Sequence, residues 1–153
     1  MNLARLIATV AISFTFLSLA APASATTDDF PIAPEVEYAL AVEPGGVALD
    51  YWTAAWPDGM RLDVERDVVL FKSVGACPDG RVCVFTKHNA AGTKLSWSGC
   101  GTHSTSALGG PVASIANARS SGTLKALNGS TIVASAAAGT SKNVYATVTK
   151  VSC

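Results

Sequence analysis

Residues 77–97 read CPDGRVCVFTKHNAAGTKLSW, and this stretch determines how the rest of the chain is interpreted. It contains two cysteines, Cys77 and Cys83, followed by alternating apolar residues and a glycine-containing turn. The two cysteines could bind a metal, carry out redox chemistry or form a disulfide. The choice depends on the compartment in which the protein resides, and the N-terminus indicates that compartment.

Residues 1–25 have the pattern of a secretory signal peptide. Arg5 precedes the uncharged apolar run LIATVAISFTFLSLAA, and Ala-Ser-Ala at 23–25 offers the small residues that a signal peptidase recognises. As a helix, the run spans about 24 Å, which is less than the ~30 Å hydrocarbon core of a bilayer. We therefore expect cleavage after Ala25, a secreted, extracellular protein and no membrane association after cleavage.

The cysteines of the exported part are Cys77, Cys83, Cys100 and Cys153. An even number of cysteines in an exported chain is normally oxidised, and four cysteines allow three pairings. We favour Cys77–Cys83, because the Pro-Asp-Gly turn at 78–80 brings the chain back on itself. The remaining pair, Cys100–Cys153, would then fix a C-terminus that otherwise frays.

Zinc binding is the alternative use of these cysteines, with His88 and His103 as further ligands. Structural zinc sites favour CxxC-like pairs, whereas Cys77 and Cys83 are separated by a longer spacer. The redox motif CxxC is absent. We therefore expect no metal and no other cofactor.

Acidic and basic residues are separated along the chain. All eleven acidic residues lie between Asp28 and Asp79, and with three basic residues they give residues 26–79 a formal charge of −8. Residues 80–153 contain no Asp or Glu and carry +7. The split suggests two parts that attract each other. The seven bases of the second part are Arg81, Lys87, Lys94, Arg119, Lys125, Lys142 and Lys150.

The absence of carboxylates from the second half argues against a hydrolase. Glycosidases need two carboxylates, and a Ser-His pair around His103 would need an acid from the other half. No GxSxG, HExxH or Gly-rich phosphate loop occurs. We expect a non-enzymatic protein. The alternative is an enzyme that takes its acids from Asp50, Asp58 or Asp63.

Residues 26–73 predict an acidic segment with a short helix and a hairpin. EVEYALAVE at 35–43 favours a helix that begins near Pro34 and ends at Pro-Gly-Gly, and Pro-Asp-Gly at 57–59 favours a hairpin. The aromatic residues Tyr51, Trp52 and Trp56 are interpreted as core or interface residues rather than a carbohydrate platform.

From Val82 onward, short apolar runs alternate with turns, which predicts a small β-sandwich. The pattern also suggests an internal repeat of roughly forty residues. The first unit contains VCVFTKHNAAGTKLSWSGC and then ASIAN, and the second contains LKALNGSTIVAS and then YATVTKVSC. Each unit would form a four-stranded Greek key.

Residues 74–153 resemble the βγ-crystallin-like domain of peptidase inhibitor family I36. The shared pattern is Cys-Pro-x-Gly-x-x-Cys, an aromatic, an Asn/Gly turn and a later Ser-Ile-x-Asn. In this chain it comprises Cys77, Pro78, Gly80, Cys83, Phe85, Asn89, Gly92, Ser114, Ile115 and Asn117. The resemblance implies a mainly β fold: a βγ-crystallin-like double Greek-key sandwich, here with a small N-terminal helix-plus-hairpin extension.

The same resemblance implies a secreted, non-enzymatic inhibitor of an extracellular peptidase, the family prototype acting on metalloproteases. A disulfide-stapled scaffold can hold a contact loop in a fixed, extended form. The candidate contact residues are Lys87, His88 and Asn89 in residues 86–92, and Ser135, Thr140 and Lys142 in residues 134–142.

The sequence differs from the family pattern at two expected sites, the calcium-binding site and the inhibitory loop. Calcium-binding crystallins carry an Asn or Asp pair before a serine, whereas GGPVAS at 109–114 has none, so we expect no calcium. The prototype's inhibitory loop is closed by cysteines, and the corresponding residues 131–145 contain no cysteine.

The alternative function is a cell-surface or wall-polymer binding, antagonistic crystallin-like protein without inhibitory activity. Such a protein would use its basic residues in a salt-sensitive way. The bases are dispersed and no aromatic stripe accompanies them, so we expect no nucleic-acid partner.

Overall fold

The computed structural model describes residues 30–66 and 74–153. The predicted signal peptide and residues 67–73 lie outside the described residues. The helices are α1, Pro34–Val42, and a short 3₁₀-helix η1, Ser106–Leu108. The strands are β1 Val47–Asp50, β2 Thr53–Ala55, β3 Met60–Asp63, β4 Val82–Lys87, β5 Ala91–Trp97, β6 Thr102–Ser104, β7 Ser114–Asn117, β8 Thr123–Asn128, β9 Thr131–Ala137, β10 Thr140–Asn143 and β11 Lys150–Ser152.

The strands form two antiparallel sheets, which confirms the prediction of a mainly β protein. Sheet 1 has seven strands in the order β1-β2-β3-β5-β4-β7-β10, and sheet 2 has four in the order β6-β11-β8-β9. Strand β6, the third of the group β4 to β7, lies in sheet 2. Strand β10, the third of the group β8 to β11, lies in sheet 1. Each half of the predicted repeat therefore contributes one strand to the other half's sheet.

The predicted helix and hairpin are both present. Pro34 occupies the first turn of α1, where the missing N–H has no intrahelical partner to lose. The carboxylate of Asp58 accepts a hydrogen bond from the backbone N–H of Met60 at 2.9 Å and so fixes the turn between β2 and β3. On the inner side of α1, Val36 and Ala39 are buried.

The N-terminal segment is continuous with sheet 1. Strand β3 pairs with β5 in the register Met60↔Trp97 and Asp63↔Lys94. The main hydrophobic core also contains residues from both sides of the boundary expected at 73/74, including Val36, Leu62 and Ile115. One sheet and one core thus extend across that boundary.

The core lies between the two sheets. Leu95 and Ile115 of sheet 1 face Leu124 and Val151 of sheet 2, and all four are fully buried. Asn117 also crosses the interface: its Nδ2 donates to the carbonyl oxygens of residues 122 and 136, at 3.2 and 3.4 Å. A buried amide satisfied in this way helps to fix the spacing of the sheets.

A second, smaller core covers the outer side of sheet 1. It comprises Cys77, Cys83, Phe85, Ala90, Ala116 and Ala118, with Val74 and Ala76 packed against it. The disulfide Cys77–Cys83 closes this cover, and the disulfide Cys100–Cys153 ties the C-terminus to the segment before β6. The pairing that we favoured from the sequence is the one found.

Candidate functional site

The structure separates the predicted contact residues into two groups. Lys87 ends β4, and His88 and Asn89 form the β4–β5 turn. Residues 134–142, which we expected to be a loop, are instead the β9–β10 hairpin. Ser135 therefore lies in β9 of sheet 2, whereas Thr140 and Lys142 lie in β10 of sheet 1.

The β4–β5 turn has a strained but well-supported backbone. Asn89 and Ala90 both adopt left-handed conformations, with φ of 61° and 55°. The buried Ser114 hydroxyl accepts a hydrogen bond from the Ala90 N–H at 3.0 Å and donates to the Lys87 carbonyl at 2.6 Å. This hydroxyl bridges both ends of the turn and holds Ala90 in a conformation that L-residues normally avoid.

The turn is also joined to the end of β10. The Asn89 backbone N–H donates to Oδ1 of Asn143 at 2.7 Å, and Nδ2 of Asn143 donates to Oδ1 of Asn89 at 3.2 Å. These reciprocal bonds connect residues that lie far apart in sequence. They bring the predicted turn residues next to a segment that we did not predict as a site.

That segment is residues 144–149, which connect β10 to β11. At its start, Val144 is buried and its N–H donates to the carbonyl of Ala113 at 2.8 Å. At its end, the Thr149 N–H donates to the Leu127 carbonyl at 2.8 Å, and its hydroxyl accepts from the Gly129 N–H at 3.0 Å. Both ends are fixed, while residues 145–147 between them are exposed.

Tyr145 is the most exposed large hydrophobic side chain of the described residues, at 86 %. Its ring lies 4.9 Å from the ring of His88 between centroids. The Nδ1 atom of His88 is 2.9 Å from the Ala113 carbonyl and donates to it, which orients the imidazole. We call His88, Asn89, Asn143 and Tyr145 the tyrosine surface.

The topologically equivalent segment, between β6 and β7, is covered. Residues 105–113 connect β6 to β7, as residues 144–149 connect β10 to β11. Ala107 and Leu108 of that segment are buried, and η1 packs against α1. The Tyr38 ring of α1 lies directly over Gly109. The N-terminal helix therefore covers one of the two related segments and leaves the tyrosine surface open.

The carboxylates of the enzyme alternative are engaged in local contacts. Asp50 accepts from the Trp52 N–H at 2.7 Å, and Asp58 fixes the β2–β3 turn. Asp63 lies 3.0 Å from Nε of Arg61 and 3.2 Å from Nζ of Lys94. Burial opposes ionisation of Asp63, but the two cations outweigh it and lower the pKa of the carboxyl below its ordinary value.

A shallow depression of about 480 Å³ lies beside the Cys77–Cys83 disulfide, with Asp79 and Arg119 in its lining. Over residues 30–66 and 74–153, no group of three or more potential ligands is placed to hold a metal ion. Nor does that part of the chain contain a helix of the length and apolarity needed to cross a bilayer.

The predicted contact residues include those of the β4–β5 turn but not Asn143, Tyr145 or the anchored segment, although the family resemblance pointed to residues 131–145. One signal was available: Tyr145 is the only aromatic residue after Trp97. The hydrogen bonds that fix the segment come from residues 113, 127 and 129, and no local pattern encodes them.

Comparison with known proteins does not assign the chain to a family. It matches no family model, no curated protein and no solved structure.

Proposed function

We propose that this chain is a secreted, non-enzymatic binding protein that inhibits an extracellular peptidase, and that residues 144–149 enter the peptidase's substrate cleft. The proposal rests on one observation: Tyr145 is 86 % exposed in a segment whose two ends are fixed. An exposed aromatic on a rigid support is the usual form of an interface anchor.

Fixed ends serve an inhibitor in two ways. The segment loses little conformational freedom on binding, so less of the interaction energy is spent on ordering it. Its ends are also held by separate strands: Val144 by the residue before β7, and Thr149 by the end of β8. Cleavage of a peptide bond between these anchors would therefore leave both new ends in place, which favours religation over release.

We also infer a βγ-crystallin-type double Greek key. The strand orders β5-β4-β7-β10 and β9-β8-β11-β6 support it, because the two repeats are arranged alike and exchange their third strands. The hydroxyls of Ser114 and Thr149 support it as well, since each hydrogen-bonds to the turn between the first two strands of its repeat. The two disulfides fit an oxidising, extracellular compartment.

The test is a titration of the secreted, oxidised protein, expressed from the full-length gene in an exporting host. The protein is titrated against a panel of extracellular metallo- and serine peptidases, and the mass of the chain is checked after incubation. We expect stoichiometric inhibition of at least one peptidase that accepts aromatic residues. Tyr145→Ala should weaken this inhibition about 30-fold or more, as expected for an aromatic hot spot.

Tyr38→Ala is the matched control, because it removes the same side chain from an exposed position on α1. It should inhibit like the wild type. Equal losses in both variants would contradict the assignment of the site. Rapid cleavage of the wild-type chain without inhibition, or no inhibition of any peptidase, would contradict the function itself.

A further inference from the structure

The basic residues of the acid-free half divide into two classes. Lys87 and Lys94 form ion pairs with Glu65 and Asp63 of the N-terminal segment. The Arg81 guanidinium donates to the carbonyl of Gly59. These three cations hold the two halves together and are not available to a partner.

The remaining four cations of this half behave differently. Arg119 donates to the carbonyl of Ser98. Within the described residues, Lys125, Lys142 and Lys150 take part in no ion pair. Two of these three lysines, Lys125 and Lys150, belong to the same sheet, on the neighbouring strands β8 and β11.

Both lysines point away from the core. Leu124, Ala126 and Val151 are buried on the inner side of sheet 2, so the alternation of side chains places Lys125 and Lys150 on the outer side. Lys125 pairs with Ser152, and Lys150 pairs with Leu127. The lysines are thus diagonal neighbours, with Cα atoms about 7–8 Å apart.

Four hydroxyl side chains and two apolar side chains, Leu127 and Ile132, lie beside the two lysines. One row across the sheet runs Thr102, Ser152, Lys125, Ser135, and the next runs Ser104, Lys150, Leu127, Ile132. We call these eight residues the lysine face. It contains no carboxylate and no aromatic ring, so it suits an anion but offers nothing on which a base or a sugar ring could stack.

We propose that the lysine face binds a linear, non-aromatic phosphodiester polymer of the polyol-phosphate type. Charge complementarity carries the proposal: two unpaired ammonium groups with hydroxyl donors beside them can contact successive phosphates of a flexible chain. The lysine face belongs to sheet 2 and the tyrosine surface to the turns of sheet 1, so polymer binding does not depend on the peptidase proposal.

The probe is a fluorescein-labelled linear poly(glycerol phosphate), whose binding to the secreted, oxidised protein is followed by anisotropy between 20 and 200 mM NaCl. With two phosphate contacts, the slope of log K against log salt should be about −1.4, by analogy with single-stranded nucleic acids. The double variant K125Q/K150Q should bind about tenfold or more weakly at low salt, with a slope near zero.

The matched control is R119Q/K142Q, which removes the same charge from two cations outside sheet 2 that form no ion pair within the described residues. It should retain the wild-type slope, and K125Q/K150Q should retain any peptidase inhibition. Equal loss in the two double variants would overturn the proposal, since net charge alone would then explain binding. Failure of the wild type to bind the polymer at 20 mM salt would overturn it too. So would tighter binding of single-stranded DNA than of the polymer.

Discussion

The hydroxyl groups of Ser114 and Thr149 each make two hydrogen bonds to the backbone at a turn between strands. Ser114 begins β7 and bridges the β4–β5 turn, whereas Thr149 precedes β11 and bonds to the end of β8 and the start of the β8–β9 turn. Their surroundings differ, however. Ser114 is fully buried and supports the left-handed Ala90, whereas Thr149 is exposed. The same bond should therefore contribute differently to stability at the two positions.

Ser114→Ala should lower the free energy of unfolding by about 1–3 kcal/mol, because it leaves the buried Ala90 N–H without its hydrogen-bond partner. Thr149→Val should cost less than about 1 kcal/mol, since water can replace the lost hydroxyl. Urea unfolding of the oxidised protein measures both values. A Thr149→Val effect as large as that of Ser114→Ala would contradict this account.

At the scale of the elements, the attachment of α1 to the β2–β3 hairpin depends on a close contact. The indole N–H of Trp56 donates to the carbonyl of Glu43, just after the helix, at 2.7 Å. Gly46 lies against the same indole ring, so closely that a Cβ atom would overlap it. The chain after α1 can pass over Trp56 because residue 46 has no side chain.

Gly46→Ala should therefore destabilise the protein by about 1–3 kcal/mol, because the Trp56 ring or the helix must shift. Gly99→Ala is the control, since a Cβ there meets open space and Gly99 has no positive φ. It should be neutral or slightly stabilising. Thermal unfolding of both variants, followed by tryptophan fluorescence, gives the comparison. Equal melting temperatures for the two variants would rule out the clash.

Elements encoded by local sequence were predictable, and those fixed by distant contacts were not. Proline and glycine marked the ends of α1 and the β2–β3 turn, so both were found. Ser135 was expected in a loop because the run of small residues around it hides the alternation of a strand. The segment after Asn143 contains β-forming residues but is not a strand, because its two ends bond to different elements: Val144 to Ala113 before β7, and Thr149 to Leu127 in β8.

At the scale of the whole molecule, the separation of charge along the sequence becomes an internal interface. Strand β3 of the acidic segment pairs with β5 of the basic half, and the register places Asp63 opposite Lys94. The Lys94 side chain is 4 % exposed and that of Asp63 is 22 % exposed. The attraction that we expected between the two halves is therefore concentrated in a largely buried ion pair.

Replacing Asp63 with Asn should lower the free energy of unfolding at pH 7 by about 3 kcal/mol, because the Asp63 carboxylate would no longer neutralise charge beside the buried Lys94 ammonium. The value is at the lower end for buried pairs, since 22 % of the Asp63 side chain remains exposed. Glu37→Gln, an exposed position on α1, should change the stability at pH 7 little.

The pH dependence provides the second half of this test. The folded-state pKa of Asp63 is below the ordinary value of 3.8, so its contribution is fully present above that value and is lost as the pH falls through the folded-state pKa. The wild type should therefore lose stability on acidification below about pH 4, and Asp63→Asn should lose distinctly less over the same range. Urea unfolding of both proteins at pH 7, 4 and 3 measures the difference. Parallel curves would mean that the Asp63–Lys94 pair does not join the two halves in the way that its geometry indicates.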